Sequence, residues 1–150
     1  MNRAAVLLCV FLLSLPAYAD FRTLLHLLPE ISGYFASPAE GSSLRLPGGN
    51  VDTASRKYSS PSAELILSVY SGADIKALGE HGIKAGGVTR SEKGQGYNIL
   101  YTGSGYKKGY IMLTADGSPL TVVLEYKGIN PEQAAETVRS LSVGNFFKQN

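Results

Sequence analysis

The sequence is nearly devoid of cysteine, and its one thiol lies close to the start of the chain. Cys9 stands inside an apolar run, and residues 20–150 contain no cysteine. That part of the chain can form neither disulfides nor thiolate sites, so its stability must come from a hydrophobic core. Histidine is scarce as well, with only His26 and His81. A zinc site would therefore depend on scattered carboxylates, and we expect no metal site.

Neither sign of charge dominates the chain. There are 14 lysines and arginines and 12 aspartates and glutamates. A dedicated nucleic-acid binder concentrates lysine and arginine against phosphates, so we expect no nucleic-acid partner. A hydrophobic content of 44% in 150 residues is enough for one domain with a core.

Residues 1–19 have the pattern of a secretory signal peptide. Arg3 supplies a positive charge, Ala4 to Leu15 is an apolar run, and small residues stand at the two positions that a signal peptidase reads, the second being Ala19. We expect cleavage after Ala19 and a periplasmic or secreted product. The run is too short to span about 30 Å of hydrocarbon, and Cys9 is not at the cleavage site, as lipid attachment would require. We therefore expect no stable membrane insertion.

The segment 20–61 is predicted to be a helix followed by a long loop. Asp20 is a typical N-cap residue. Apolar residues then recur at helical spacing on one face: Phe21, Leu24, Leu25 and Leu28. The composition from Ser37 to Pro61 is rich in serine, glycine and proline, with a turn signal at Pro47–Asn50 and one short strand at Leu44–Leu46. We expect a surface loop there.

Residues 62–150 are predicted to form an α+β domain around an antiparallel sheet of about five strands. Its centre is a β-meander, three consecutive strands joined by glycine-marked turns. The turns are expected at Thr102–Tyr106 and at Asp116–Gly117. The predicted strands are 63–70, 88–90, 97–102, 108–114 and 120–126.

Three helices are predicted to pack on this sheet: N-terminal, middle and C-terminal. The middle one runs from about Ala73 to His81. The C-terminal one has a complete start signal, with Asn130 as N-cap, Pro131 in the first position and Gln133 at the capping-box position. It is expected to end at Gly144.

No catalytic or cofactor motif stands out, so we expect no enzyme and no cofactor. The only groups on which a small hydrolase could be built are the neighbours Glu80 and His81, and Ser104 between two glycines. The neighbours point different ways at a helix end, and Ser104 has no base nearby in the sequence.

The better candidates for function are basic and aromatic residues at the turns of the meander. Tyrosine suits interfaces because it joins a large apolar area to a hydroxyl. The alternative is that these are ordinary solubilising turn residues. The candidate partner contacts are Arg90, Lys93, Tyr106, Lys107 and Lys108.

The order of elements resembles that of the exported PsbP-like domains, including bacterial periplasmic DcrB-like proteins. The resemblance covers residues 62–143 and is carried by the strand Ala63–Tyr70, the strands from Val88 to Tyr126 and the helix sequence Asn-Pro-Glu-Gln-Ala-Ala-Glu-Thr-Val-Arg-Ser-Leu. It implies an α-β-α sandwich that serves as a non-catalytic accessory or binding protein. Some periplasmic immunity proteins are similar to this architecture.

The leading hypothesis from the sequence is an exported binding or accessory protein whose partner is another protein of the cell envelope. An immunity-type inhibitor that blocks a toxin is the alternative within binding functions. The alternative of another class is the small hydrolase with Glu80, His81 or Ser104.

Overall fold

In the part of the chain that the structure describes, an eight-stranded antiparallel sheet organises the fold. The computed structural model describes residues 20–47, 49–72, 88–94, 96–105, 107–142 and 144–148. The strands lie in the order β1-β3-β4-β8-β7-β6-β5, and β2 pairs with β3 beside β1. The strands are β1 (Phe35–Ala36), β2 (Glu40–Leu46), β3 (Gly49–Ser59), β4 (Glu64–Ser71), β5 (Val88–Lys93), β6 (Asn98–Gly105), β7 (Lys108–Thr114) and β8 (Leu120–Lys127).

The α+β character and the antiparallel sheet are confirmed, but the predicted number of strands is too low. The helices are also short. They are α1 (Phe21–Leu25), α2 (Pro131–Ser140) and α3 (Gly144–Phe147). The predicted middle helix, Ala73 to His81, lies outside the described residues.

The meander is confirmed as strands β6, β7 and β8, which pair in sequence order. Alternating side chains place Ile99, Ile111 and Leu124 on one face, and all three are buried. β6 runs on to Gly105, with a register shift between Gly103 and Gly105, where a turn from Thr102 was predicted. Glycine has no side chain to clash, so the strand can carry this irregularity.

The predicted loop from Ser37 to Pro61 is wrong, because most of it forms the hairpin of β2 and β3. Seven register pairs join the two strands, and the predicted Pro47–Asn50 turn signal lies where the chain reverses. A small number of buried side chains anchor β3 in the core. Ala54 and Tyr58 are fully buried, and the Tyr58 hydroxyl donates to the Pro29 carbonyl at 2.7 Å.

The N-terminal helix begins as predicted but ends early. Asp20 is its N-cap and accepts a hydrogen bond from the Arg22 amide at 3.2 Å. The helix stops at Leu25, not Leu28, yet Leu24 and Leu28 are both buried in the core. A side chain at Gly41 of β2 would collide with the Phe21 ring, so α1 lies directly on the hairpin.

The C-terminal helix has the predicted capping box. The Gln133 amide donates to Asn130 Oδ1 at 2.9 Å, and the Asn130 amide donates to Gln133 Oε1 at 3.0 Å. Helix α2 ends at Ser140 and not at Gly144, because Ser142 takes a left-handed φ of 51°. Gly144 instead opens the single turn α3.

The helices cover one face of the sheet, which we call the helix face. Ala134, Val138 and Phe146 join the core cluster formed by the inward residues of the central strands. The other face is buried from Met112 to the end of the strands where Thr114 and Thr121 pair, whereas residues at the opposite end are exposed. The exposed end is where the candidate site lies.

Candidate binding surface

Of the five residues selected from the sequence, the four that the structure describes do not form one site. Lys107 and Lys108 lie at the turn before β7 and at its first residue, and both are exposed. Arg90 and Lys93 lie on β5, the outermost strand, and Lys93 is at the opposite end of the strands from Lys108. Tyr106 lies outside the described residues.

Two further lysines join the pair at the turn. Lys127 of β8 stands directly opposite Lys108, and Glu64 of β4 stands opposite Lys127 on its other side. Lys57 of β3 reaches Glu64 with Nζ 2.6 Å from Oε2. We call the set of Lys57, Lys107, Lys108 and Lys127 the lysine corner. Sequence reasoning missed Lys57 and Lys127, because strand register brings them there.

The Lys108–Lys127 pair is electrostatically unfavourable. Directly opposed side chains in an antiparallel sheet have Cβ atoms about 5 Å apart, and like charges at this spacing are destabilising. Among the described residues, no carboxylate oxygen lies within 4.0 Å of either of these two ammonium groups. The approach of these two charges to each other therefore contributes no stability to the fold.

Glu64 is already committed within the corner. The hydrogen bond from Lys57 lowers the pKa of the Glu64 carboxyl; partial burial opposes this, and the charges of Lys57 and Lys127 lower it further. One carboxylate thus serves two lysines. Lys107 and Lys108 are exposed, and neither forms an ion pair with a described residue.

A half-exposed tyrosine lies beside the lysines. The Tyr110 hydroxyl is 3.5 Å from Glu125 Oε1, and 37% of the residue is exposed. The negative charge of Glu125 raises the pKa of Tyr110, with smaller contributions from burial and the hydrogen bond. An aromatic ring next to free ammonium groups provides contact area as well as charge.

The turn that follows β8 holds the corner in place. The Gly128 amide donates to the Lys107 carbonyl at 2.8 Å, which joins the β6–β7 turn to the end of β8. Gly128 has φ of 88°, and a side chain there would collide with the Ser62 carbonyl. The backbone around the lysines is thus fixed although their side chains are exposed.

Arg90 belongs to a different cluster, which is internally paired. It forms ion pairs with Glu92 and with Glu132, the second with Nη1 2.9 Å from Oε1. Glu92 also accepts from the Tyr101 hydroxyl at 3.1 Å and lies 3.9 Å from Arg139. We call Arg90, Glu92, Tyr101, Glu132 and Arg139 the arginine network. It joins β5 to helix α2.

Of the three residues considered for a hydrolase, the structure describes one. Ser104 lies within β6 instead of at a hairpin tip, while Glu80 and His81 lie outside the described residues. No group of three or more histidine, cysteine, aspartate or glutamate residues in the described ranges could hold a metal ion. His26 lines an open cleft of about 190 Å³, together with Leu27, Pro29, Leu141, Asn145 and Phe146.

Comparisons with protein-family models, curated proteins and solved structures give no match to this chain. Across the part of the chain that the structure describes, no helix has both the length and the apolar character needed to cross a bilayer.

Proposed function

We propose that this chain is an exported accessory protein that binds an acidic protein of the cell envelope through the lysine corner. The observation that carries the proposal is the opposition of Lys108 and Lys127, two like charges beside a carboxylate, Glu64, that is already ion-paired with Lys57. A partner carboxylate placed between the two ammonium groups would remove the repulsion and form charge-assisted hydrogen bonds.

The pattern of charges favours a protein over an anionic lipid surface. Glu64 and Glu125 lie among the lysines, and a lipid surface would bring negative headgroups against both carboxylates. A protein can place carboxylates over Lys108 and Lys127 and place uncharged groups over Glu64 and Glu125. Tyr110 adds an aromatic contact that suits a protein interface.

Export and the resemblance to PsbP-like and DcrB-like domains are part of the proposal. Residues 1–19 have the composition of a signal peptide, and the lack of thiols in residues 20–150 suits an oxidising compartment. A non-catalytic accessory role is what the resemblance implies. The arginine network is paired within the chain, whereas Lys107, Lys108 and Lys127 have no ion pair among the described residues, which supports a contact surface at the lysine corner.

The test is capture of a partner from a periplasmic extract with the wild-type chain and with the double variant Lys108→Glu, Lys127→Glu. We expect an acidic protein bound at constant stoichiometry, a loss of affinity of at least tenfold in the variant, and weaker binding at high salt. Lys93→Glu is the matched control, because Lys93 is an exposed strand lysine at the opposite end of the strands.

Three results would count against the proposal. One is that the wild-type chain captures no stoichiometric partner. The second is that the double variant retains the partner while both variants remain folded. The third is that anionic vesicles bind the wild-type chain and the protein partner does not. If the captured protein is a toxin that the chain inhibits, the chain is an immunity-type inhibitor.

A further inference from the structure

The sheet has two outer edges, and they differ in how they are protected. The edge at β5 has a register shift between Val88 and Arg90, and its Arg90 and Glu92 side chains are tied to helix α2 through the arginine network. Bulges and charged residues of this kind prevent another strand from pairing with an edge. The β5 edge is thus closed to strand addition.

The edge at β2 has no bulge, and no ion pair ties its two charged residues, Glu40 and Arg45, to another described element. β2 pairs with β3 through seven consecutive register positions without a shift, and Glu40–Leu46 contains neither lysine nor proline. Every residue from Glu40 to Arg45 is exposed, and Leu44 presents 59% of its surface. A regular, exposed strand of this length is a template for a further strand.

The backbone groups that point away from the sheet can be assigned. The Ser60 amide donates to the Ala63 carbonyl at 2.8 Å, so even-numbered residues of β3 bond to β4. Odd-numbered residues of β3 therefore face β2, and their partners in β2 are the even-numbered residues. The N–H and C=O groups of Gly41, Ser43 and Arg45 consequently point outward.

A charge imbalance lies next to these outward groups. Asp52 of β3 is only 6% exposed, and within the described part of the chain its carboxylate accepts one hydrogen bond, from the Ser43 hydroxyl. Among the described residues, no cation lies within 4.0 Å of its carboxylate, and Arg45 has no ion pair. A nearly buried carboxylate without a cation is costly, and an arginine added from outside this edge would relieve the cost.

We propose that two copies of this chain pair through β2, antiparallel, about a two-fold axis that passes beside Leu44. This register sets Leu44 against Leu44 of the second copy, and Ser43 against Arg45 of the second copy. Ser43 and Arg45 both have outward backbone N–H and C=O groups, so this pair exchanges two hydrogen bonds. The two-fold axis repeats the pair on its other side.

The second copy supplies what this edge lacks. Arg45 of the second copy stands in the same cross-strand row as Ser43 and Asp52, two strand spacings or about 10 Å from Asp52, and its long side chain reaches toward that carboxylate. The same contact recurs on the other side of the axis. The exposed Leu44 is covered by its symmetry mate, and no like charges stand directly opposite each other.

The first test is the mass of the purified full chain, in the processed form in which it accumulates, by sedimentation equilibrium. We expect a dimer at about 100 μM, a concentration well above the Kd of an ordinary specific interface. A monomer at that concentration overturns the proposal.

The register is tested with single thiols in a Cys9→Ser background. Leu44→Cys is expected to give a disulfide-linked dimer on mild oxidation, since opposed residues in the position that makes no hydrogen bonds have the closest side chains. Ser42→Cys is the control, because this register sets Ser42 against residue 46 of the second copy. Linkage by Ser42→Cys, or by neither variant, overturns the proposal.

Two further pairs of variants separate backbone pairing from charge. Ser43→Pro removes an outward N–H and is expected to abolish the dimer, whereas Ser43→Ala keeps that N–H and the dimer. Arg45→Gln is expected to raise the dimer Kd at least tenfold, whereas Lys93→Gln, at the other edge, leaves it unchanged. Thermal melts confirm that each variant is folded, and a folded Ser43→Pro chain that still dimerises overturns the proposal.

Discussion

The arginine network and the lysine corner are both clusters of charge at the sheet, but only the first is neutralised within the chain. In the network, Glu92 accepts a hydrogen bond from the Tyr101 hydroxyl and lies beside Arg90 and Arg139. In the corner, Lys108 and Lys127 face each other across the strands. The comparison teaches that charges paired across elements hold the fold together, while charges left opposed are available to a partner.

The largest expected effect is the loss of the acceptor at the centre of the arginine network. Glu92→Ala removes a hydrogen bond from Tyr101 and leaves Arg139 without its nearby carboxylate, so we expect a loss of about 2 kcal/mol in the free energy of unfolding. Urea denaturation measures it. The matched control is Glu125→Ala, which breaks the looser 3.5 Å contact with Tyr110 and is expected to cost less than about 0.5 kcal/mol. Equal losses in the two variants would contradict the comparison.

Replacing one cation in each cluster with threonine compares the contribution of a paired cation in the arginine network with that of an opposed cation in the lysine corner. Arg90→Thr loses ion pairs with Glu92 and Glu132 and is expected to destabilise the protein by about 1 kcal/mol. Lys108→Thr removes a repulsion and introduces a good strand former, so the free energy of unfolding is expected to stay the same or rise by about 0.5 kcal/mol. Urea denaturation at low salt checks both. A loss of stability in Lys108→Thr similar to that in Arg90→Thr would mean that the corner is structural.

The parts of the fold that depend on neighbouring residues could be predicted from the sequence. The Asn130 capping box and strand β7 are correct because their signals, side-chain capping and alternation between two turns, act over a few residues. The β2–β3 hairpin was missed, since its serines, glycines and proline are typical of loops. Its strand character comes from the pairing of β3 with β4, and the buried side chains of β3 are few and mixed in character: Val51, Asp52, Ala54 and Tyr58.

The candidate site was predictable only in part, for the same reason. Lys107 and Lys108 stand next to a turn signal and could be selected. Lys57 lay inside the predicted loop. Lys127 belongs to the site only because strand pairing places it between Glu64 and Lys108. No local pattern states that β4 pairs with β8, because that pairing joins strands about fifty residues apart and is decided by the core as a whole.

The two tyrosines that bond to glutamates are expected to respond differently to salt. The pKa of Tyr101 is raised first by burial and then by the charge of Glu92, whereas that of Tyr110 is raised first by the charge of Glu125. Salt screens an exposed charge and does not change burial, so high salt should lower the pKa of Tyr110 toward its ordinary value and move that of Tyr101 less. Titration of labelled tyrosine rings by NMR measures both. Equal salt responses would contradict the assignment of Tyr101 to a buried cluster.

Both raised pKa values have the same sign of effect on stability. The folded state holds the phenol proton more tightly than the unfolded chain, so each contributes stability below the ordinary pKa of about 10 and loses it as the pH rises through the folded value. Burial raises the pKa of Tyr58 to about 12, so the loss of stability from this residue extends over the window from about pH 10 to 12. Tyr58→Phe removes that part of the alkaline dependence and leaves the Tyr101 part unchanged.

The smallest expected effect concerns Glu64, the carboxylate shared within the lysine corner. Its pKa is lowered by the hydrogen bond from Lys57 first and by the charge of Lys127 last, so Lys57→Gln should raise it more than Lys127→Gln does. Because the folded pKa lies below the unfolded one, Glu64 stabilises the fold above its ordinary value near 4.5 and loses this as the pH falls through the folded value. NMR titration of the carboxyl carbon in the two variants gives the order. A larger shift in Lys127→Gln would show that Lys127 is neutralised by Glu64 after all, and the charge available to a partner would then be confined to Lys107 and Lys108.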